Sequence, residues 1–193
     1  MTFATISDLK TKLNKGARAN LFRIELTFPT ISALSVGASQ HTSQLSLLCK
    51  SAAVPGFTLG VIEVPFRGGR KIKIPGDRTF ADWTVTIIND ENHTMRNAFN
   101  YWVDYVSTAD YDSDRKSTKI DYYSTVTIHH LKADGTTSRK YQLIDAYPTD
   151  VGAVDLSFDS TDTLSDFTVN FQYHYMEAVA GADAFGGEVT VSR

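Results

Sequence analysis

The residues that could do chemistry are the acids of Asp110-x-Asp112-x-Asp114 with Asp121, five histidines, one cysteine and a basic run at Arg67-Gly-Gly-Arg70-Lys71-x-Lys73. Counted from Asp110, the acids resemble a calcium loop with Asp121 at its twelfth place, but Arg115 stands where such a loop turns on glycine. A strand is expected after it instead of a helix. A solvated acidic loop is the reading that remains. His129 and His130 are adjacent and point to opposite faces of a strand, so their rings cannot share an ion, and His41, His93 and His174 have no local ligand spacing. Cys49, the single cysteine, excludes an intrachain disulfide and any multi-cysteine metal site, and its apolar strand-like setting marks it as a small core residue. No Gly-x-Ser-x-Gly elbow is present, and Gly68, Gly69 and Gly76 lack the helix and Lys-Ser/Thr ending of a phosphate loop. The basic run has little aromatic interleaving and suits an acidic protein surface better than nucleic acid. The expectation is a non-enzymatic protein with no metal and no cofactor.

The elements that carry these residues come from a chain of 193 residues, 42% hydrophobic and 21% charged, rich in Tyr and Phe. That length favours one domain, and that composition a folded one. No apolar run reaches the roughly 18–20 residues of a membrane span, and Met1 to Asn20 is too polar for a secretory signal, so folding in a cytoplasm without membrane insertion is expected. Charge is uneven. From Tyr141 onward there are nine acids and one base, whereas residues 1–140 carry 18 bases and 13 acids.

Phe22, Ile24, Leu26 and Phe28 alternate with Arg23, Glu25 and Thr27, a half-buried strand stopped by Pro29. Pro29 to Ser43 reads as a loop and Gln44 to Lys50 as a short apolar strand. Val61 to Phe66 and Arg70 to Ile74 form a hairpin across Arg67-Gly68-Gly69, and Pro65 puts it at an edge or in a projecting ribbon. Pro75-Gly76 supplies the next turn, and Asp82 to Ile88 is a two-faced strand. Met95, Phe99, Trp102, Val103 and Val106 share one face of the single expected helix, about Asn92 to Val106, with Asn89, Asp90 and Asn92 as capping choices. Its Phe99 and Trp102 should pack on the sheet near Trp83. Ser107 to Lys119 is a polar loop. Tyr122 to Leu131 and Arg139 to Ala146 pair around Ala133-Asp134-Gly135-Thr136, and Val154 to Asp159 with Asp166 to Met176 make the last strand pair. In the latter, Phe167, Val169, Phe171, Tyr173 and Tyr175 share a face. The fold class is mainly β: an antiparallel β-sandwich or barrel with one flanking α-helix and a projecting β-hairpin.

Several stretches resemble the tail tube proteins of contractile-tailed bacteriophages. They are Cys49-Lys-Ser-Ala-Ala-Val-Pro-Gly56, the long run from Val64 to Glu91 containing Gly76-Asp-Arg-Thr-Phe80 and Trp83-Thr-Val85, the helix Met95-Arg-Asn-Ala-Phe-x-x-Trp102, and Ala146-Tyr-Pro-Thr-Asp-Val-Gly152. The resemblance spans about residues 19–176. It divides the chain into an N-terminal arm (1–18), a tail tube domain (19–177) and a C-terminal extension (178–193). It implies a virion protein, assembled in the bacterial host cytoplasm, of which six copies form a ring. Each copy would give four strands to a continuous inner barrel, and rings would stack into a tube inside the contractile sheath. At about 4.8 Å between strands and about 40° of tilt, 24 strands enclose a backbone diameter of roughly 48 Å, wide enough for a DNA duplex.

The partners so implied are further copies of the chain, the sheath protein, the baseplate hub, the tape-measure and tail terminator proteins, and double-stranded DNA in transient passage without specific binding. Alternatives are the tube of a contractile bacteriocin or secretion system and, in another class, a monomeric ligand-binding β-barrel. Within the tube reading, Gly56 to Gly76 is the stacking element. The candidates for contact between rings or subunits are Arg67, Arg70, Lys71, Lys73, Asp77 and Arg78 with Asp150, Asp155 and Asp159. Asp166, Thr168 and Asn170 are candidates to face the lumen.

Overall fold

The computed structural model describes residues 5–13, 16–29, 38–109, 122–159 and 161–180. In chain order its elements are α1 (Ile6–Leu13), β1 (Phe22–Leu26), α2 (Ala38–Leu48), β2 (Cys49–Ala52), β3 (Phe57–Phe66), β4 (Arg70–Phe80), β5 (Trp83–Ile88), α3 (Thr94–Ala109), β6 (Ser124–Leu131), β7 (Thr137–Val151), β8 (Asp166–Gln172) and β9 (Tyr175–Ala180). The strands run antiparallel in the order β1-β6-β7-β8-β5-β2, with β9 beside β7, while β3 and β4 form a separate ribbon.

The long strand β7 joins two layers. Its residues 139–144 lie between β6 and β9, and its residues 147–151 pair with β8. The bend between them falls at Asp145, whose φ of 54° is in the left-handed region. The neighbouring chain turns beside it: β8 ends at Gln172, His174 donates its amide to the Ile144 carbonyl (3.1 Å), and β9 departs along the first half of β7. One layer is therefore β1, β6, β9 and the start of β7. The other is β2, β5, β8 and the end of β7.

Both layers and the helices α2 and α3 fill one core. Phe171 is its hub, with ring centroids 5.0 Å from Trp83, 5.9 Å from Phe99 and 6.1 Å from Trp102. The two indoles stay satisfied because Trp83 Nε1 donates to the Ala53 carbonyl (2.8 Å) and Trp102 Nε1 to that of Tyr122 (3.0 Å). The expected packing of Phe99 and Trp102 near Trp83 is thus present, bridged by a phenylalanine. Asp90 is the cap of α3: its carboxylate accepts from the Thr94 amide (2.9 Å) and hydroxyl (2.7 Å).

Several local expectations are corrected. Residues 38–43, expected in a loop, and 44–48, expected in a strand, form one helix, because His41, Leu45 and Leu48 recur at helical spacing toward the core while Leu47 is exposed. Cys49 begins β2 half-buried, outside the fully buried core. Pro75-Gly76 makes no turn: both lie inside β4, opposite a bulge between Leu59 and Val61. A Cβ on Gly76 would come 3.1 Å from the Gly60 carbonyl carbon, so close strand approach explains this glycine.

Residues 154–159 alternate Val154, Leu156 and Phe158 yet form no strand, for Leu156 and Phe158 are exposed without a pairing partner. The expected strand from Asp166 to Met176 is two strands split at the corner, so Tyr173 is buried and Tyr175 is not. Residues 107–109, expected in a loop, end α3, and Ala178–Ala180, expected in the C-terminal extension, end β9. The single expected helix is joined by α2 and by α1, whose start is fixed by a reciprocal pair: Thr5 donates its amide to Asp8 (2.9 Å) and its hydroxyl accepts from the Asp8 amide (3.3 Å). The acidic run at Asp110, Asp112, Asp114 and Asp121 lies outside the described residues.

Candidate assembly surfaces

Alternation and bulge together give the β3–β4 ribbon two unlike faces. In its outer half the cross-strand pairs Ile62–Ile74, Val64–Ile72 and Phe66–Arg70 lie on one side, and Val61–Pro75, Glu63–Lys73 and Pro65–Lys71 on the other. All of these side chains are exposed. The turn between the strands carries Gly68 and Gly69 at φ 83° and 75°. Five large apolar groups therefore form a continuous uncovered face on a two-stranded ribbon, an arrangement that water alone does not stabilise.

The basic candidates divide along the same ribbon. Arg67 and Arg70 sit at its tip, Lys71 pairs with Glu63 (2.6 Å), and Lys73 stands across from Glu63 in register. Arg78 is held at the base instead, its guanidinium 3.8 Å from the Phe57 ring centroid and 4.8 Å from that of Phe80. Asp77 is beside it, exposed. Asp155 and Asp159 lie in the exposed connection between β7 and β8.

A second surface is the outer face of β2, β5, β8 and the end of β7. Trp83, Val85 and Ile87 of β5 with Phe167, Val169 and Phe171 of β8 point into the core, leaving the alternate residues on the other side. There Lys50 pairs with Asp166, Gln172 donates to Asp82, the Thr84 hydroxyl donates to Asn170 Oδ1 (2.7 Å), and Asn170 Nδ2 donates to Asp150 (3.4 Å). The lumen candidates Asp166, Thr168 and Asn170 are thus together on one polar face, and Asp150, expected on the stacking surface, joins them there. Lys50, Asp82, Thr84 and Gln172 share the face and were not among the candidates, although alternation puts Asp82, Thr84 and Gln172 on the polar side of their strands. The alternation of β5 signalled Thr84, but no local pattern could bring Lys50 to Asp166, 116 positions away.

The ribbon and the β7–β8 connection leave this sheet at opposite ends. Register places Trp83 opposite Phe171 and Ile88 opposite Asp166. The ribbon joins this sheet at the Trp83 end, where Ala81 donates its amide to Gly56 (3.1 Å), and the β7–β8 connection leaves from the Asp166 end. Among the described residues, β2 and residues 147–151 of β7 each have a sheet partner on one side only.

A depression lined by Phe22, Ser46, Cys49 and Lys50 includes the thiol, but burial pushes Cys49 up to about 11, so it stays protonated near neutrality. Among the described residues, no three His, Cys, Asp or Glu side chains converge as metal ligands.

A family model of phage tail tube proteins matches residues 17–178. The tail tube protein gp19 of Enterobacteria phage T4 is 30% identical over 175 residues, covering 89% of this chain and 99% of that protein. The tail tube protein of Serratia phage KSP90 is 28% identical over 174 residues, covering 88% and 94%. Among solved structures, a chain from the PVC sheath–tube complex of an extracellular contractile injection system, in its extended state, superimposes with a TM-score of 0.62 at 12% identity, covering 93% of this chain and all of that one. A chain from the baseplate of the anti-feeding prophage gives 0.61 at 14% identity, covering 85% and 95%. At these identities the two structures speak for a shared fold.

Proposed function

The chain belongs to the phage tail tube protein family, and from that premise we propose that six copies close into a ring whose inner wall is the polar face of β2, β5, β8 and the end of β7. The protein is a structural component of a contractile phage tail. The observation that carries the finer reading is the pairing of that hydrogen-bonded polar face with two half-paired edges. A sheet whose reverse side is core and whose edges are open satisfies its backbone by joining β2 of one copy to the end of β7 in the next. Closure leaves no free edge in this inner layer, and water-compatible side chains line the bore.

In such a wall Asp82, Asp150 and Asp166 outnumber Lys50, and Lys50 is already paired with Asp166. Phosphates are repelled weakly and evenly, which suits passage of a DNA duplex without retention. The ribbon, projecting from one end of the wall, reaches a neighbouring copy and makes rings stack. Sheath subunits then assemble on the outside, and the baseplate hub, tape-measure and terminator proteins meet the tube at its ends or within it. Electron microscopy of the purified protein tests the reading. The expected images are rings or tubes with a backbone diameter of roughly 48 Å at the inner barrel. Compact monomers at high concentration would overturn it and favour an isolated barrel.

A further inference from the structure

The β7–β8 connection is clamped at its base and carries exposed apolar side chains. At its base Gly152 donates its amide to the Thr168 carbonyl (2.7 Å), Arg96 of α3 donates to the Gly152 carbonyl (3.0 Å), and Asn89 donates its amide to the Ser165 carbonyl (2.9 Å). A Cβ on Gly152 would lie 2.5 Å from Thr168 Oγ1, so the close approach depends on glycine. Between these clamps Leu156, Phe158 and Leu164 stand 87%, 106% and 77% exposed, and none of them serves the subunit's own core. Residues 153–165 also hold Asp155, Asp159 and Asp162 and no base.

The ribbon offers the complement in both respects: an uncovered apolar face centred on Val64 and Ile72, and a positive tip at Arg67 and Arg70. The two cannot meet within one copy. They leave the β5–β8 pair at opposite ends, six residue steps or about 20 Å apart, and the apolar residues of both stay exposed in the folded subunit. Complementary surfaces at opposite ends of one subunit make a head-to-tail contact that repeats from copy to copy. Helix α1 is another uncovered apolar element among the described residues, with Ile6, Leu9 and Leu13 exposed, but it carries Lys10 and Lys12 against Asp8, and a basic ribbon repels it.

We propose that residues 153–165 of one copy dock on the apolar face of the ribbon of a second copy, with Leu156, Phe158 and Leu164 as anchors and the three aspartates steering them to Arg67 and Arg70. This rests on the tube reading and names the contact that would join its rings. The anchors supply the holding energy and the charges the register, because exposed ion pairs at a rim contribute little once formed.

The test is a paired cross-link in full-length protein carrying Cys49→Ser. Copies with Phe158→Cys are mixed with copies bearing Ile72→Cys under mild oxidation. The expected product is a covalent dimer that forms in the mixture and far less in either copy alone. In parallel, Phe158→Asp should raise the concentration needed for assembly by about tenfold or more while the subunit's melting temperature holds. Assembly of Phe158→Asp at the unaltered concentration would overturn the proposal. So would coupling of the Ile72→Cys copy to Leu9→Cys in place of Phe158→Cys, which would give the ribbon face to α1. Micrographs of the unaltered protein without rings or tubes would strike the tube reading, whereas the cross-link decides the contact between copies whatever shape the particles take.

Discussion

The β5–β8 pair and the β3–β4 ribbon are built from the same kinds of residue and end in opposite states. Trp83, Val85, Ile87, Phe167, Val169 and Phe171 are all but inaccessible, whereas every residue of β3 is exposed. Each pair alternates apolar and polar positions, so strand propensity does not separate them. The separation comes from what lies over the apolar side. Helix α3 with Phe99 and Trp102 covers the first pair; no described part of the same chain covers the second. One pair is thereby a source of subunit stability. The other is left uncovered by the described residues, as the proposed contact between copies requires.

The sharpest way to break this contrast is Trp102→Ala. Truncating a fully buried aromatic costs about 3–5 kcal/mol, a large part of a domain's stability. Insoluble or unfolded subunits are expected, and a soluble variant melting at the unaltered temperature would show that α3 does not hold the sheet. Next comes the double change Ile62→Ser and Ile72→Ser on the ribbon. Because these sites touch no core, subunit melting should move by no more than exposed substitutions do, about 0.5 kcal/mol each, while tube growth seen by sedimentation should stop. A large drop in melting temperature would mean that the ribbon is part of the folded unit after all.

Asp90→Ala should cost about 1 kcal/mol through loss of the α3 cap, on the stable side of the contrast. Burial pushes the Asp90 carboxyl up, but its hydrogen bonds to Thr94 and to nearby backbone amides together hold it below its usual value. A carboxyl lowered on folding stabilises fully above its unfolded value near 3.9, and the contribution fades as acid takes the pH down through the folded value. Acid unfolding of Asp90→Ala should therefore lose part of its dependence below about pH 4, and an unchanged acid limb would remove Asp90 from the account. The smallest effect is expected for Asp166→Asn, which removes the exposed partner of Lys50. Stability should shift by less than about 1 kcal/mol. If the face lines the bore, the freed Lys50 should make assembled tubes retain DNA more strongly at low salt; retention unaffected by this change would place the face elsewhere.

The sequence by itself determined the parts whose pattern is local. Phe22 to Phe28, Asp82 to Ile88 and Phe167 to Phe171 are two-faced by simple alternation, α3 by its 3.6-residue stripe, and the ribbon by Arg67-Gly68-Gly69 between extended runs. Alternation also set Asp166, Thr168 and Asn170 on one polar face, and the resemblance of Gly76-Asp-Arg-Thr-Phe80 and its neighbours carried the family. What it could not decide were choices made by distant partners. Residues 44–48 are helical because Leu45 meets the core from that geometry, and Phe158 stays exposed though its spacing suits a strand. The chain from Asp166 to Met176 breaks because Asp145, far away in sequence, turns β7 beside it. Asp150 lies on the polar face beside Asn170, whose side-chain amide donates to it across the ladder, a neighbour 20 positions away in sequence. Periodicity reports which side chains want cover. Only tertiary structure, by bringing strands and helices from elsewhere in the chain, decides which of them receive it and which stay exposed.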